Sequence, residues 1–259
     1  MKKQLIQAID SEKIRTLLAN KRKYKKLFET YGVMPEIKNI NTNSLWNKLN
    51  KSSLLLSSSK VFKHKLNIAF EQISKGNQKI LNIGVGAGFL EKKVFNKDKF
   101  NQIDWFGIDI SVQSINKMRL LYPKAHFQVG NVNSLNYENN FFDTIFMLDI
   151  LEHISPSNTF NVLNEVKRVL KSNGKLILSV PLNEGLDKML LRGINPNAHV
   201  RIYTKELIFA ELNIAEFVVI KNKELYAFKT NYIIKNFIVS KLKFFNKNPN
   251  LIVIIARKK

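Results

Sequence analysis

The chain has 259 residues, 45% hydrophobic and 24% charged, enough to bury a large core as one domain with appendages. It contains no cysteine, which excludes disulfides, cysteine-bound zinc and a thiolate nucleophile. The formal charge of +22 is uneven: residues 1–78 hold 16 basic and 5 acidic side chains, 79–217 hold 16 and 14, and 218–259 hold 10 and 1.

Basic flanks of this kind attract polyanions, so nucleic acid or an anionic membrane surface enters as a partner class. The bias of 35 Lys to 7 Arg fits a solvated surface better than a phosphate- or guanine-reading one, which favours the Arg fork. No run reaches the ~18 apolar residues needed to span a bilayer. The start, MKKQLIQAIDSEK, turns polar before a signal-like stretch develops. A cytoplasmic location is expected, with peripheral contact at the inner membrane face left open.

Taken in chain order, residues 1–78 read as a basic helical N-terminal extension. Apolar positions at helical spacing (Leu5, Ile9, Ile14, Leu17, Leu18) precede the run Lys21, Arg22, Lys23, Lys25, Lys26. Residues 31–59, with Gly32, Pro35 and SSLLLSSS, read as a loose connection, and 60–75 return to a helical pattern. From Lys79 short β-rich runs alternate with helical stretches, the pattern of a parallel sheet with crossover helices. The strands are KILNIGV, IDWFGIDI, AHFQVG, DTIFMLD and GKLILSV, with helices expected at 87–96, 111–121, 157–171 and 204–213. Residues 182–200 form a long connection suited to substrate selection. Two further strands, EFVVIK and LIVIIARK, flank an amphipathic helical insertion at 229–246, whose apolar side suits either the sheet or an anionic membrane. The expected fold is α/β, a Rossmann-like seven-stranded mostly parallel sheet with helices on both faces over 79–259.

The feature that carries chemistry is KILNIGVGAGF, a strand running into Gly84, Gly86 and Gly88 at the start of a helix. Such a turn lets backbone N–H groups approach a ligand closely. Phe89 occupies the third-glycine place of a dinucleotide fingerprint, which leans away from NAD. Asp109, 25 residues after Gly84 at the end of the next strand, is placed to accept both hydroxyl protons of a ribose.

These segments, with VGNVNSL, FFDTIFMLDILEHI, EVKRVLKSNGKLILSVP and HVRIYTKELIFAEL, resemble the class I S-adenosylmethionine-dependent methyltransferases. The likeness is greatest to the group that includes the ubiquinone and menaquinone methyltransferases. The resemblance implies S-adenosyl-L-methionine as cofactor. It also implies that Gly84, Gly86 and Gly88 cradle the methionine moiety, Asp109 holds the ribose and Ile110 packs on adenine. Asn131 and Val132 are implied at the adenine edge, and Leu148 lines the site. The family usually has an acid where this chain has Asn82 and Asn131, so weaker cofactor binding is expected, with Asn82→Asp raising affinity.

Candidate bases are His153, with Glu152 beside it, and His199; Arg201 and Tyr203 are candidate substrate contacts. No His or acid spacing in the sequence points to a metal. A small-molecule, glycan or lipid-linked acceptor is the leading expectation. An RNA methyltransferase using the basic flanks, or a non-catalytic binding module on the same fold, are the alternatives.

Overall fold

The computed structural model describes residues 22–32, 41–52, 59–74, 76–96, 102–228, 230–241 and 248–259. Leu5 to Lys21, most of SSLLLSSS and residues 229 and 242–246 of the expected insertion lie outside these. Seven strands form one sheet: β1 (Gln78–Ile83), β2 (Ile103–Asp109), β3 (His126–Val129), β4 (Phe142–Leu148), β5 (Leu170–Pro181), β6 (Phe217–Leu225) and β7 (Leu251–Lys258). The order is β3-β2-β1-β4-β5-β7-β6, with β7 antiparallel to both neighbours and the other described pairings parallel. The expected seven-stranded fold is the one observed.

Alternation along β1 shows why the strand is buried on both faces. Leu81 and Ile83 enter one apolar cluster with Ile145, Leu178 and Ile254, while Ile80 enters the other with Trp105, Phe146 and Ile177. The helices are α1 (Arg22–Leu27), α2 (Asn43–Ser52), α3 (Lys60–Glu71), α4 (Phe89–Phe95), α5 (Val112–Leu121), α6 (Thr159–Val169), α7 (Leu186–Leu191), α8 (Lys205–Ile214) and α9 (Tyr232–Lys241). Ser111 and Thr204 cap α5 and α8 by accepting from the N–H groups of Ser114 and Leu207, each at 3.2 Å.

Three expectations are corrected. Residues 43–52, placed in a loose connection, form α2, which lays Trp46 against His153. The helix expected at 157–171 ends at Val169, where Leu170 already enters β5. The division at 78/79 does not separate an extension from a domain, because α2 and α3 line the same cavity as the glycine turn. Sequence periodicity marks α3 as amphipathic but carries no information on which sheet end it covers. In the described part of the insertion, Ile233, Ile234 and Phe237 of α9 are 80%, 62% and 62% exposed, so that face does not pack on the sheet.

Candidate functional site

The order of the strands reverses between β1 and β4, and their carboxyl ends open a crevice there, the usual ligand position in such sheets. A cavity of about 490 Å³ occupies it. Its floor is the turn after β1. Gly84, Gly86 and Gly88 all have positive φ (77°, 57° and 78°), a conformation that side chains disfavour. A Cβ on Gly84 would stand 2.1 Å from Ile150 Cδ1, so the turn passes closer to the β4 exit than any side chain allows.

Asp109 holds this turn in place. Its Oδ2 accepts from Gly86 N–H and its Oδ1 from Ser111 N–H, both at 2.7 Å. Burial raises its pKa, and the two backbone hydrogen bonds work against that rise. Each oxygen keeps a further lone pair for a ribose hydroxyl.

Beneath the turn, Asn82 Nδ2 donates to Glu91 Oε1 at 2.6 Å, with both residues buried. Burial pushes Glu91 up to about 7, against the pull of Asn82, its own backbone amide and Trp105. A buried acid thus stands against Asn82 from the first turn of α4.

The other end of the cavity lies beyond β4. Lys65 of α3 pairs with Asp149, whose Oδ1 also accepts from Ser179 Oγ at 2.5 Å. Burial would raise Asp149, but the Lys65 ammonium and these hydrogen bonds hold it below the usual carboxylate range. Trp46 stands edge-on to His153, ring centres 4.7 Å apart, and Asn41 Nδ2 donates to the His153 carbonyl at 2.7 Å. Ser155, Asn158 and Val200 complete this end. A 3-10 turn (Leu151–His153) carries Glu152, fully buried, whose pKa is raised well above the usual range by burial and by Asp149.

The structure brings Asn82, Gly84, Gly86, Asp109, Ile110, Asn131, Val132, Leu148 and His153 to the cavity wall. Gly88 is not on that wall: it starts α4 in the left-handed conformation and packs where a Cβ would meet Met118 Sδ at 2.4 Å. Arg201 and Tyr203 are corrected from substrate contacts to interior residues, 0% and 1% exposed. The Arg201 guanidinium pairs with Glu211 and Thr159, and Tyr203 donates to Glu211 Oε2 at 3.0 Å. Tyr24 reaches the same carboxylate, which ties α1 to α8.

His199 is also off the cavity wall, its Nδ1 held at 2.6 Å by Glu184 Oε2. His153 is pushed down to about 4 by burial and by His199, a poor match for a general base working near neutrality. Folding also places Glu152, His153 and His199 together, a grouping that no spacing in the sequence shows.

Sequence reading missed Lys65, Asp149, Trp46 and Asn41. Lys65 left one signal: it falls on the apolar stripe of α3, three residues from Phe62 and four from Ala69. The others depend on contacts distant in sequence.

Against known proteins, residues 81–178 match a family described as "Methyltransferase domain". A relative named "Uncharacterized protein MJ0638", from Methanocaldococcus jannaschii, is 28% identical over 165 residues, 61% of this chain and 67% of its own length. Haemonchus contortus phosphoethanolamine N-methyltransferase 2, solved in complex with S-adenosyl-L-methionine, superposes with a TM-score of 0.56 at 18% identity. That match covers 76% of this chain and 52% of the other. The [4+2]-cyclase SpnF superposes equally well, TM-score 0.56 at 21% identity, over 74% of this chain and 79% of the other. Residues 81–178 are similar to a methyltransferase domain, and that match supports an enzyme.

Proposed function

We propose that this enzyme methylates a small acceptor, free or lipid-linked, that enters the cavity at its Trp46–His153 end. S-Adenosylmethionine is the cofactor, and it supplies an activated methyl group on a sulfonium. The residues fit it: Gly84 and Gly86 bring backbone without side chains to the cavity lining, both at positive φ, and Asp109 keeps lone pairs for two hydroxyls. Ile110, Asn131 and Val132 form the wall for the base, and Leu148 stands at the end of β4 between the two halves of the cavity.

One observation carries this reading. A single cavity runs from the glycine turn and Asp109 to Trp46, His153, Ser155 and Asn158, so donor and acceptor lie in one enclosure. The chain's task there is to hold the acceptor nucleophile in line with the methyl group and to exclude water. Phe62, Lys65 and Leu66 of α3 line the same cavity, as do Trp46 and Asn41. A cavity of about 490 Å³ suits a small acceptor better than a base carried on RNA.

The lipid-linked form is supported by α9. Tyr232 at its start stands 3.1 Å from His64 Nδ1 on α3, and the next turns expose Ile233, Ile234 and Phe237. Lys235 lies among them, exposed, on a chain whose last 42 residues hold 10 basic and 1 acidic side chain. Exposed apolar side chains on a basic segment suit an anionic lipid surface. The likeness of the motifs to quinone methyltransferases agrees with an apolar acceptor.

Calorimetry with S-adenosylmethionine and S-adenosylhomocysteine, on wild type and Asp109→Ala, tests the cofactor assignment. Sedimentation with phosphatidylglycerol vesicles, on wild type and on Ile233→Ser/Phe237→Ser, tests the surface. Binding to vesicles that the double variant loses supports the lipid-linked acceptor. No binding by wild type overturns that part and leaves the free small-molecule acceptor.

A further inference from the structure

We propose that Glu152, His153 and His199 form a binding site for one divalent first-row transition metal ion, such as Zn²⁺, beside the acceptor end of the cavity. One ligand atom from each lies within 4.8 Å of the others, and the two imidazole centres are 4.8 Å apart. The backbone joins the two contributing segments: Val200 N–H donates to the Glu152 carbonyl at 2.9 Å.

The imidazoles are held as metal-binding imidazoles are. His153 Nδ1 is 3.2 Å from the Ala198 carbonyl, and His199 Nδ1 is 2.6 Å from Glu184 Oε2. Each acceptor draws the proton to Nδ1 and leaves the Nε2 lone pair for a ligand, the outer-shell arrangement that orients metal-bound histidine.

The second observation is Glu152. It is fully buried, and neither carboxylate oxygen has a hydrogen-bond partner. A buried charge without a partner is strongly unfavourable. A cation resolves it.

Two imidazoles and one carboxylate suit Zn²⁺, Fe²⁺, Co²⁺ or Ni²⁺ better than the all-oxygen preference of Mg²⁺ or Ca²⁺. Bonds of ~2.1 Å to one ion put ligands roughly 3–3.5 Å apart, so binding draws the three inward by about 1 Å. Three protein ligands leave at least one position for water or an acceptor oxygen. His153 is itself on the cavity wall.

The test uses the full chain, treated with a chelator and checked for fold by circular dichroism. It is titrated with ZnCl₂ by calorimetry and with CoCl₂ by visible absorption. One equivalent of each ion is expected, with Co²⁺ giving the intense bands of a four- or five-coordinate site. Glu152→Gln and His199→Gln should abolish both signals, and Glu184→Gln should weaken binding ~10-fold by freeing His199. Should Glu152→Gln not fold, His199→Gln and Glu184→Gln carry the same test. Folded wild type that binds neither ion, or binding that the variants leave unchanged, overturns the proposal. Because metal affinity is read without cofactor or acceptor, its failure is separate from failure of the methyl-transfer reading.

Discussion

Asn82 and Glu91 share a hydrogen bond of 2.6 Å beneath the glycine turn, and that pair reverses an expectation drawn from sequence. An acid at position 82 would not meet an empty place. It would face a carboxylate already buried and already pushed up to about 7. Asn82→Asp should therefore lower both stability and cofactor affinity, because two buried carboxylates at that distance must share a proton. A loss of about 1–3 kcal/mol is expected, larger at pH 8 than at pH 6. Thermal melts at the two pH values and calorimetry with S-adenosylhomocysteine check it; tighter binding by the variant would contradict the pairing.

Glu91 also sets a pH dependence. Folded Glu91 keeps its proton to about pH 7, whereas the unperturbed group loses it near pH 4.5. Between those values the folded chain binds more protons than the unfolded one, so this residue's effect on stability worsens as pH rises across the window and levels off above it. Glu91→Gln keeps an acceptor for Asn82 without the charge. It should flatten this slope and raise stability at pH 8 by up to about 3 kcal/mol, measured by urea unfolding from pH 5 to 8.

Asp109 joins the end of β2 to the glycine turn through Gly86 and to the start of α5 through Ser111. Asp109→Ala removes the carboxylate proposed to hold the ribose and frees the Gly86 and Ser111 amides. Affinity for S-adenosylmethionine should fall by at least ~10-fold, about 1.4 kcal/mol, with the far-ultraviolet circular dichroism unchanged. Unchanged affinity would remove Asp109 from the site.

Arg201 pairs with Glu211 where neither side chain is exposed. Its guanidinium stays charged, because Glu211 outweighs the cost of burial. Arg201→Met leaves Glu211 buried without its cation and should cost about 3–5 kcal/mol of stability. Arg201→Met/Glu211→Leu should recover most of that loss. Cofactor and acceptor affinity of the folded fraction should match wild type, which a substrate-contact role for Arg201 would not allow.

How much of this was legible in the chain divides by the range of the interactions concerned. The alternation of apolar runs and helical stretches, the turn of three glycines and the acid 25 residues later were sufficient for the sheet, its class and the cofactor end of the cavity. Those signals are local: strand burial shows as an apolar run, a positive φ as glycine, and an N-cap as Thr204 or Ser111. His153 reached the cavity for the same reason, since it follows β4 by a few residues.

Only the tertiary structure decided which buried polar groups pair. Nothing near Arg201 in sequence shows that α8 meets its guanidinium with Glu211, so it read as a free cation at a loop exit. Lys65 and Asp149 are 84 residues apart, and Glu152 and His199 come together only when the loop before α8 meets the turn after β4. Charged and metal-ligating side chains act through a few directional contacts at short range. Their meaning rests on the neighbour each acquires, which folding supplies, whereas apolar residues declare burial by pattern alone.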